Sequence, residues 1–422
     1  MREKLSKLRS AYRKYGLFGF LRRLRTLAAA RYADLLSFEV LLHPRRYRRL
    51  LRQMLSGDLE RIVLWRSSFG FQVPLFQRPQ HIAQGLARRR TLVIYEADRA
   101  TDGCRTLRKQ QDGLWLFNFH NLPLRLLLMR ELRRTALPRY VQFYSTDWRL
   151  SVRDLERFRA KGCKLIYEYV DHLSPALSGT GSLPKNVREK YAYAMAHPEV
   201  LVVATAKRLE TDVIARRGGD NLVLSGNGVD CAFFQRWENY PFEPVFQRIL
   251  DRGKPVVCYY GALACWFDYG LVKAVAATGR YSVVLIGLKY DDSFDRSLHG
   301  ESGIYFLGPR DYRVLKYYAK AADVLIIPFL VNELTRATCP VKLFEYMALG
   351  KPIVTTDLDE CRAFGSVLIG RSRAEFLQNL EQALTLRDDP GYLALLERES
   401  RENDWSNKAG LIVGQLQRLE KN

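Results

Sequence analysis

Short runs of aliphatic and β-branched residues recur along this chain, separated by stretches in which apolar positions return at helical spacing. The clearest run is Asp-Val-Leu-Ile-Ile-Pro-Phe at 323–329. It suits a strand buried on both faces, and Pro328 stops it. A polar turn follows. Pro340 then fits a helix start, residues 341–349 have helical composition, Gly350 stands at the expected C-terminal cap, and 352–356 reads as the next buried strand. Further strands are expected at 61–65, 91–95, 114–117, 140–144, 164–170, 201–205, 255–261, 281–287 and 304–307. Helices are expected between them, among others at 77–90, 148–158 with Ser151 as cap, 206–217, 374–386 and 408–421. Such alternation predicts a doubly wound α/β fold.

At 422 residues the chain is too long for one ordinary core, so two domains are expected. The pattern divides into an extension at 1–58, a first domain at 59–240, a second at 253–400 and a last helix at 401–422. Between the domains, the tight turn Asn227-Gly228-Val229-Asp230 leads into a linker with Pro241 and Pro244. An apolar content of 47% with 27% charged residues describes a globular protein. The seven cysteines show neither C-x-x-C nor zinc-finger spacing, which fits free thiols in a reducing cytosol. No run is long and apolar enough to span a bilayer and no signal-peptide pattern opens the chain, so a cytoplasmic protein is expected.

Chemistry concentrates where the strand at 323–329 gives way to its helix. In parallel sheets, ligands sit in loops beyond the carboxyl ends of strands. A helix N-terminus there offers unpaired N–H groups and a positive dipole end to a phosphate. Lys342 and Glu345, three residues apart, project from one helix face. An isolated K-x-x-E is usually a surface pair, but a cation beside a diphosphate and a carboxylate for ribose hydroxyls would make a nucleoside diphosphate site. The string P-x-K-L-F-E-Y-M-A-x-G-K-P-I-V at 340–354 resembles the donor-binding segment of GT-B glycosyltransferases, particularly family-4-like bacterial enzymes that build polysaccharides, teichuronic acid and capsule types among them. Gln77-Arg-Pro-Gln-His-Ile-Ala83 and Tyr167-Glu-Tyr-Val-Asp-His-Leu-Ser174 resemble two further strings of that group. The resemblance covers roughly 61–385.

It implies two Rossmann-like domains facing across a cleft, with the donor in the second. In such enzymes the glutamate matched by Glu345 holds the ribose; a second glutamate, common eight residues earlier, is here Ala337. Gly261 would let the backbone approach the donor phosphates. The cations that many relatives carry after this glycine are replaced by Ala262-Leu-Ala-Cys-Trp-Phe-Asp268, so Arg336 and Lys342 are the expected neutralising charges. Thr338, Leu343 and Arg310, the last in a loop placed to contact the base, complete the expected donor set. Asp171 and His172, at the carboxyl end of a strand, are the candidate catalytic pair: a carboxylate there can take the acceptor proton or orient the acceptor. Ser68, Phe69, Gly70, Arg78 and His81 are placed at the cleft mouth, although His81 can equally be a packing residue and Asp171 a turn cap. The acidic run Asp291–Asp295 sits in a polar loop and is not read as a metal site. No cofactor is expected beyond the UDP- or GDP-linked donor sugar. The same fold also serves epimerases and phosphorylases, and Ala337 leaves open a membrane-attached protein that binds nucleotide sugar without catalysis.

The net charge of +22 is concentrated: residues 1–53 hold fifteen Lys and Arg against Glu3, Asp34 and Glu39. Bulky apolar residues interleave with them. The segment reads as a helical face packed on the body, an anchor to an anionic membrane, or a nucleic-acid contact. No nucleic-acid motif accompanies it. Because the resemblance implies a lipid-linked or polysaccharide acceptor, peripheral attachment to the inner face of the cytoplasmic membrane is preferred.

Overall fold

The computed structural model describes residues 38–421 apart from 68, 74–75, 148, 174–182 and 299. The first sheet contains β1 (Arg61–Trp65), β2 (Thr91–Glu96), β3 (Leu107–Gln111), β4 (Leu114–Phe117), β5 (Arg139–Tyr144), β6 (Lys164–Tyr169), β7 (Leu201–Ala204) and β8 (Leu222–Leu224). Their order is β3-β4-β2-β1-β5-β6-β7-β8, parallel throughout except for β3 against β4. All five residues of β1 are buried: residues 62–65 form the apolar run that a strand between two helical layers requires, and Arg61 is paired with Glu60 and Glu420.

The second sheet is formed by β9 (Val256–Tyr260), β10 (Ser282–Ile286), β11 (Ile304–Gly308), β12 (Val324–Ile327), β13 (Ile353–Thr356) and β14 (Val367–Gly370). It runs β11-β10-β9-β12-β13-β14, with every pairing parallel. Strand order reverses at β1/β5 in one sheet and at β9/β12 in the other. Ligands of doubly wound sheets bind at these switch points, outside the carboxyl ends.

The two units are tied together at several places. Helix Trp405–Lys421 packs its Trp405, Ala409, Ile412 and Leu416 into the first domain's core. There Gly85 of helix Arg78–Ala87 lets Ala409 approach; a Cβ at Gly85 would lie 2.5 Å from that of Ala409. Asn227 Nδ2 donates to the Cys339 carbonyl (2.7 Å), and Glu360 accepts from the Lys207 backbone N–H (2.6 Å). The expected linker holds two helices of its own, Cys231–Gln235 and Pro244–Leu250, because Phe234, Phe246 and Ile249 are buried there. The basic extension, expected to reach 58, is already part of the body from residue 38. Helix Pro44–Leu55 buries Tyr47, Leu51 and Met54 against the first sheet. Residues 1–37 lie outside the described residues.

Candidate functional site

The first group of expected donor residues is built where β9 ends. Gly261 follows at φ 144°, a conformation open to glycine, and its N–H donates to Ile286 O at 2.8 Å. Any Cβ at 261 would stand 2.7 Å from Lys342 Cε and 3.0 Å from Nζ, so the bare backbone and this ammonium are direct neighbours. Gly287, at the end of β10, packs against Gly261 from the other side; a Cβ there would fall 1.8 Å from Gly261 O. Lys342 reaches this point from helix Val341–Ala348, with its ammonium 5.3 Å and 5.4 Å from the ring centroids of Tyr259 and Phe329. Burial pushes its pKa down to about 8, against the pull of Glu345. Pro340 precedes the helix and gives its first turn no side-chain cap.

One turn on, Glu345 is 4% exposed. Tyr260 Oη donates to its Oε2 (2.6 Å) and Tyr312 Oη to its Oε1 (3.0 Å). Burial raises the Glu345 pKa, and the two phenols and Lys342 oppose the rise. Tyr312 is itself held by the parallel ring of Phe233, 5.3 Å away at 7°. Each carboxylate oxygen retains a lone pair when a phenol donates to it, so the group is oriented and can still accept from a diol. Nothing in the spacing of the sequence pointed to these tyrosines. They come from the end of β9 and the start of helix Tyr312–Ala321, and only the fold brings them to Glu345.

The other expected donor residues have different surroundings. Arg310 turns toward the linker: its guanidinium donates to the carbonyls of Leu307 and Pro309 and pairs with Glu243, which Tyr318 also engages. Arg336 pairs with Asp359 at 3.0 Å, and Thr338 Oγ1 donates to Leu334 O at 2.8 Å. Leu343 is buried beneath the helix, and Ala337 is fully buried. The acidic loop is likewise engaged: Asp291 binds Ser293 and the Cys265 N–H, Asp292 pairs with Arg296, and Asp295 with Lys289. Among the described residues no group of His, Cys, Asp and Glu is arranged to hold a metal.

On the first domain, Asp171 and His172 follow β6. Asp171 has no hydrogen-bond partner among the described residues, and burial pushes its carboxyl up to about 6. His172 Nδ1 is also buried and unpartnered among them. Beneath lies a polar layer. Arg78 Nε donates to Glu168 Oε2 (2.9 Å) and Nη1 to Gly226 O (2.8 Å), Gln142 Nε2 donates to Glu168 Oε1 (2.8 Å), and Arg78 Nη2 is buried without a partner among the described residues. His81 is 7% exposed, stacked on Trp405 (4.9 Å, 10°) and edge-on to Phe76. Burial drives its pKa down to about 3, so the ring is a neutral packing element. Phe69 is half exposed, whereas Gly70 makes room for Thr101; a Cβ there would fall 1.8 Å from Thr101 Oγ1. Ser68 lies outside the described residues.

Residues 254–385 match the family described as Glycosyl transferases group 1. Over 261 residues the chain is 23% identical to TuaH of Bacillus subtilis, a protein named for a glycosyltransferase role in teichuronic acid biosynthesis; the match spans 58% of this chain and 64% of that relative. Among solved structures, Anabaena HepE in complex with UDP-glucose superposes with a TM-score of 0.56 at 19% identity, covering 85% of this chain and 99% of that one. The α,α-trehalose 6-phosphate synthase of Burkholderia multivorans gives 0.60 at 14% identity, over 86% and 99%. The sucrose-phosphate synthase of Thermosynechococcus elongatus gives 0.55 at 15%, over 85% and 98%. This chain therefore has the GT-B glycosyltransferase fold, and its second domain, which carries the Gly261–Lys342–Glu345 group, matches the group 1 glycosyl transferases.

Proposed function

We propose that the protein is a glycosyltransferase that moves a hexose from a nucleoside diphosphate sugar to a hydroxyl of a lipid-linked or growing surface polysaccharide. The observation that carries this reading is the convergence of bare Gly261 backbone, Lys342 and the tyrosine-held Glu345 at the β9/β12 switch point. Glu345 takes the ribose hydroxyls. Lys342 and the N-terminus of helix Val341–Ala348 face the diphosphate and stabilise the charge that grows on it as the glycosidic bond breaks. This electrostatic work needs no metal ion. Asp171, unpartnered among the described residues, receives the acceptor proton or orients the acceptor. UDP is the preferred base carrier, because UDP and UDP-glucose are the ligands named for HepE. The protein works at the inner face of the cytoplasmic membrane, attached peripherally through basic residues within 1–53.

Incubating the protein with UDP-glucose and GDP-mannose, with and without a membrane-extracted acceptor, tests this. Acceptor-dependent release of nucleoside diphosphate together with a glycosylated product supports the reading. A donor altered at a stereocentre without acceptor would make it an epimerase, and binding without turnover would make it a non-catalytic receptor.

A further inference from the structure

Two helices of the first domain lie on the same face of the first sheet. Pro44–Leu55 buries Tyr47, Leu51 and Met54, and Leu122–Leu132 buries Leu124, Leu128 and Leu132, in one cluster with Ile62, Leu64, Leu92 and Ile94. Arg52 Nε donates to Glu131 Oε2 (3.1 Å) across the seam between them. Sharing one layer joins their outer sides into one surface. Positions half a turn from the buried ones face outward: Arg45 and Arg49 on the first helix, Leu126, Arg130 and Arg133 on or just after the second, all exposed. The short helix Phe38–Leu42, packed at the same place, adds Phe38 (73% exposed), Leu41 (53%) and Leu42 (71%); Leu126 is 61% exposed.

The charge of this face has one sign. Residues 38–55 hold five arginines and 122–134 hold four, with no lysine in either stretch. The only acids in those stretches are Glu39, which accepts from Tyr47, and Glu131, which pairs with Arg52 and Arg134. Arginine presents a planar fork matched to phosphate oxygens. Exposed Phe and Leu beside such forks suit the boundary between headgroups and acyl chains, where apolar groups leave water while the cations stay with anionic lipid. A nucleic acid would satisfy the arginines and leave the four large apolar side chains in water.

We propose that this two-helix face docks the folded first domain onto an anionic phospholipid bilayer, so that helix Leu122–Leu132, far outside the N-terminal segment, is part of the membrane contact. The face lies on a side of the sheet while the cleft lies at the carboxyl ends of its strands, so docking leaves the cleft open to donor and acceptor. The proposal rests on the peripheral-membrane part of the proposed function. Because vesicle binding is read without any sugar, its failure would leave the transferase reading standing.

The test is sedimentation of the full-length chain with vesicles of phosphatidylcholine alone or mixed with phosphatidylglycerol. Arg130→Glu/Arg133→Glu and Phe38→Ser/Leu126→Ser are compared with the wild type, and UDP binding by calorimetry reports that each variant is folded. The wild type is expected to bind only the anionic vesicles, at least tenfold more tightly than the charge-reversed protein and severalfold more tightly than the serine variant. Undiminished binding by both variants would overturn the proposal and assign any attachment to residues 1–37. Equal binding to neutral vesicles would also overturn it, as would a dimer in analytical ultracentrifugation that Leu126→Ser dissociates.

Discussion

The two walls of the cleft are prepared in opposite ways. On the second domain, the carboxylate of Glu345 is fixed by two phenols, one of them braced by Phe233, and Lys342 rests between two rings against bare backbone. On the first domain, Asp171 and His172 Nδ1 are partly or wholly removed from water with no hydrogen-bond partner among the described residues, and Arg78 Nη2 has none among them either. A wall whose polar groups are already oriented binds a rigid ligand at low ordering cost. A wall with unsatisfied groups is where a reacting hydroxyl would find its proton acceptor. The difference is what the proposed division, nucleotide recognition on one side and chemistry on the other, would require.

The sharpest break in that division comes from Asp171→Asn. Loss of a general base costs about 10²–10⁴-fold in rate, so turnover is expected to fall by at least about 10²-fold while donor affinity, read by calorimetry, holds. Parallel loss of both would make Asp171 a structural cap. The pH profile sharpens the same point. With its carboxyl raised to about 6, Asp171 is an available base only above that pH, so turnover should fall as pH drops through about 6. A profile flat down to pH 4.5 would remove it from that role.

On the other wall, Glu345→Ala should weaken nucleoside diphosphate binding by at least about tenfold, since a hydrogen bond to a buried charged group is worth roughly 1.5–3 kcal/mol. A smaller effect is expected of Tyr312→Phe: a loss of about three- to tenfold in UDP affinity, with weakened discrimination between UDP and its 2′-deoxy analogue, because the carboxylate loses one of its two restraints. Smallest is the alkaline decline. Lys342 loses its proton near pH 8, so diphosphate affinity should drift down as pH rises through that value, and Lys342→Arg should abolish the drift.

The strands that carry the two walls were legible because parallel strands covered on both faces leave unbroken apolar runs: β1, β9 and β12 appear in the sequence nearly as they stand in the fold. β3 escaped notice because Leu-Arg-Lys-Gln-Gln is a largely exposed edge strand and has no such run. β8 and β14, at the opposite sheet edges, are apolar but only three and four residues long, too short to stand out as strands. The expected site residues divided along the range of their partners. Lys342, Glu345 and Gly261 belong to local strings and could be named from them. The fates of Arg310 and His81 were set by Glu243 and Trp405, and the orientation of Glu345 by Tyr260 and Tyr312, all from remote segments. Ala337 was visible as a missing carboxylate; the fold adds that its side chain is fully buried, so that position offers no group to a sugar.

The central claim, that nucleotide recognition resides in Glu345 and its helix, is tested most directly by thermal shift. UDP, GDP, ADP, TDP and CMP are compared on the wild type and Glu345→Ala. One diphosphate, UDP first among them, should raise the Tm of the wild type, and that rise should vanish in the variant. A rise that survives the substitution would place the nucleotide elsewhere and contradict the account.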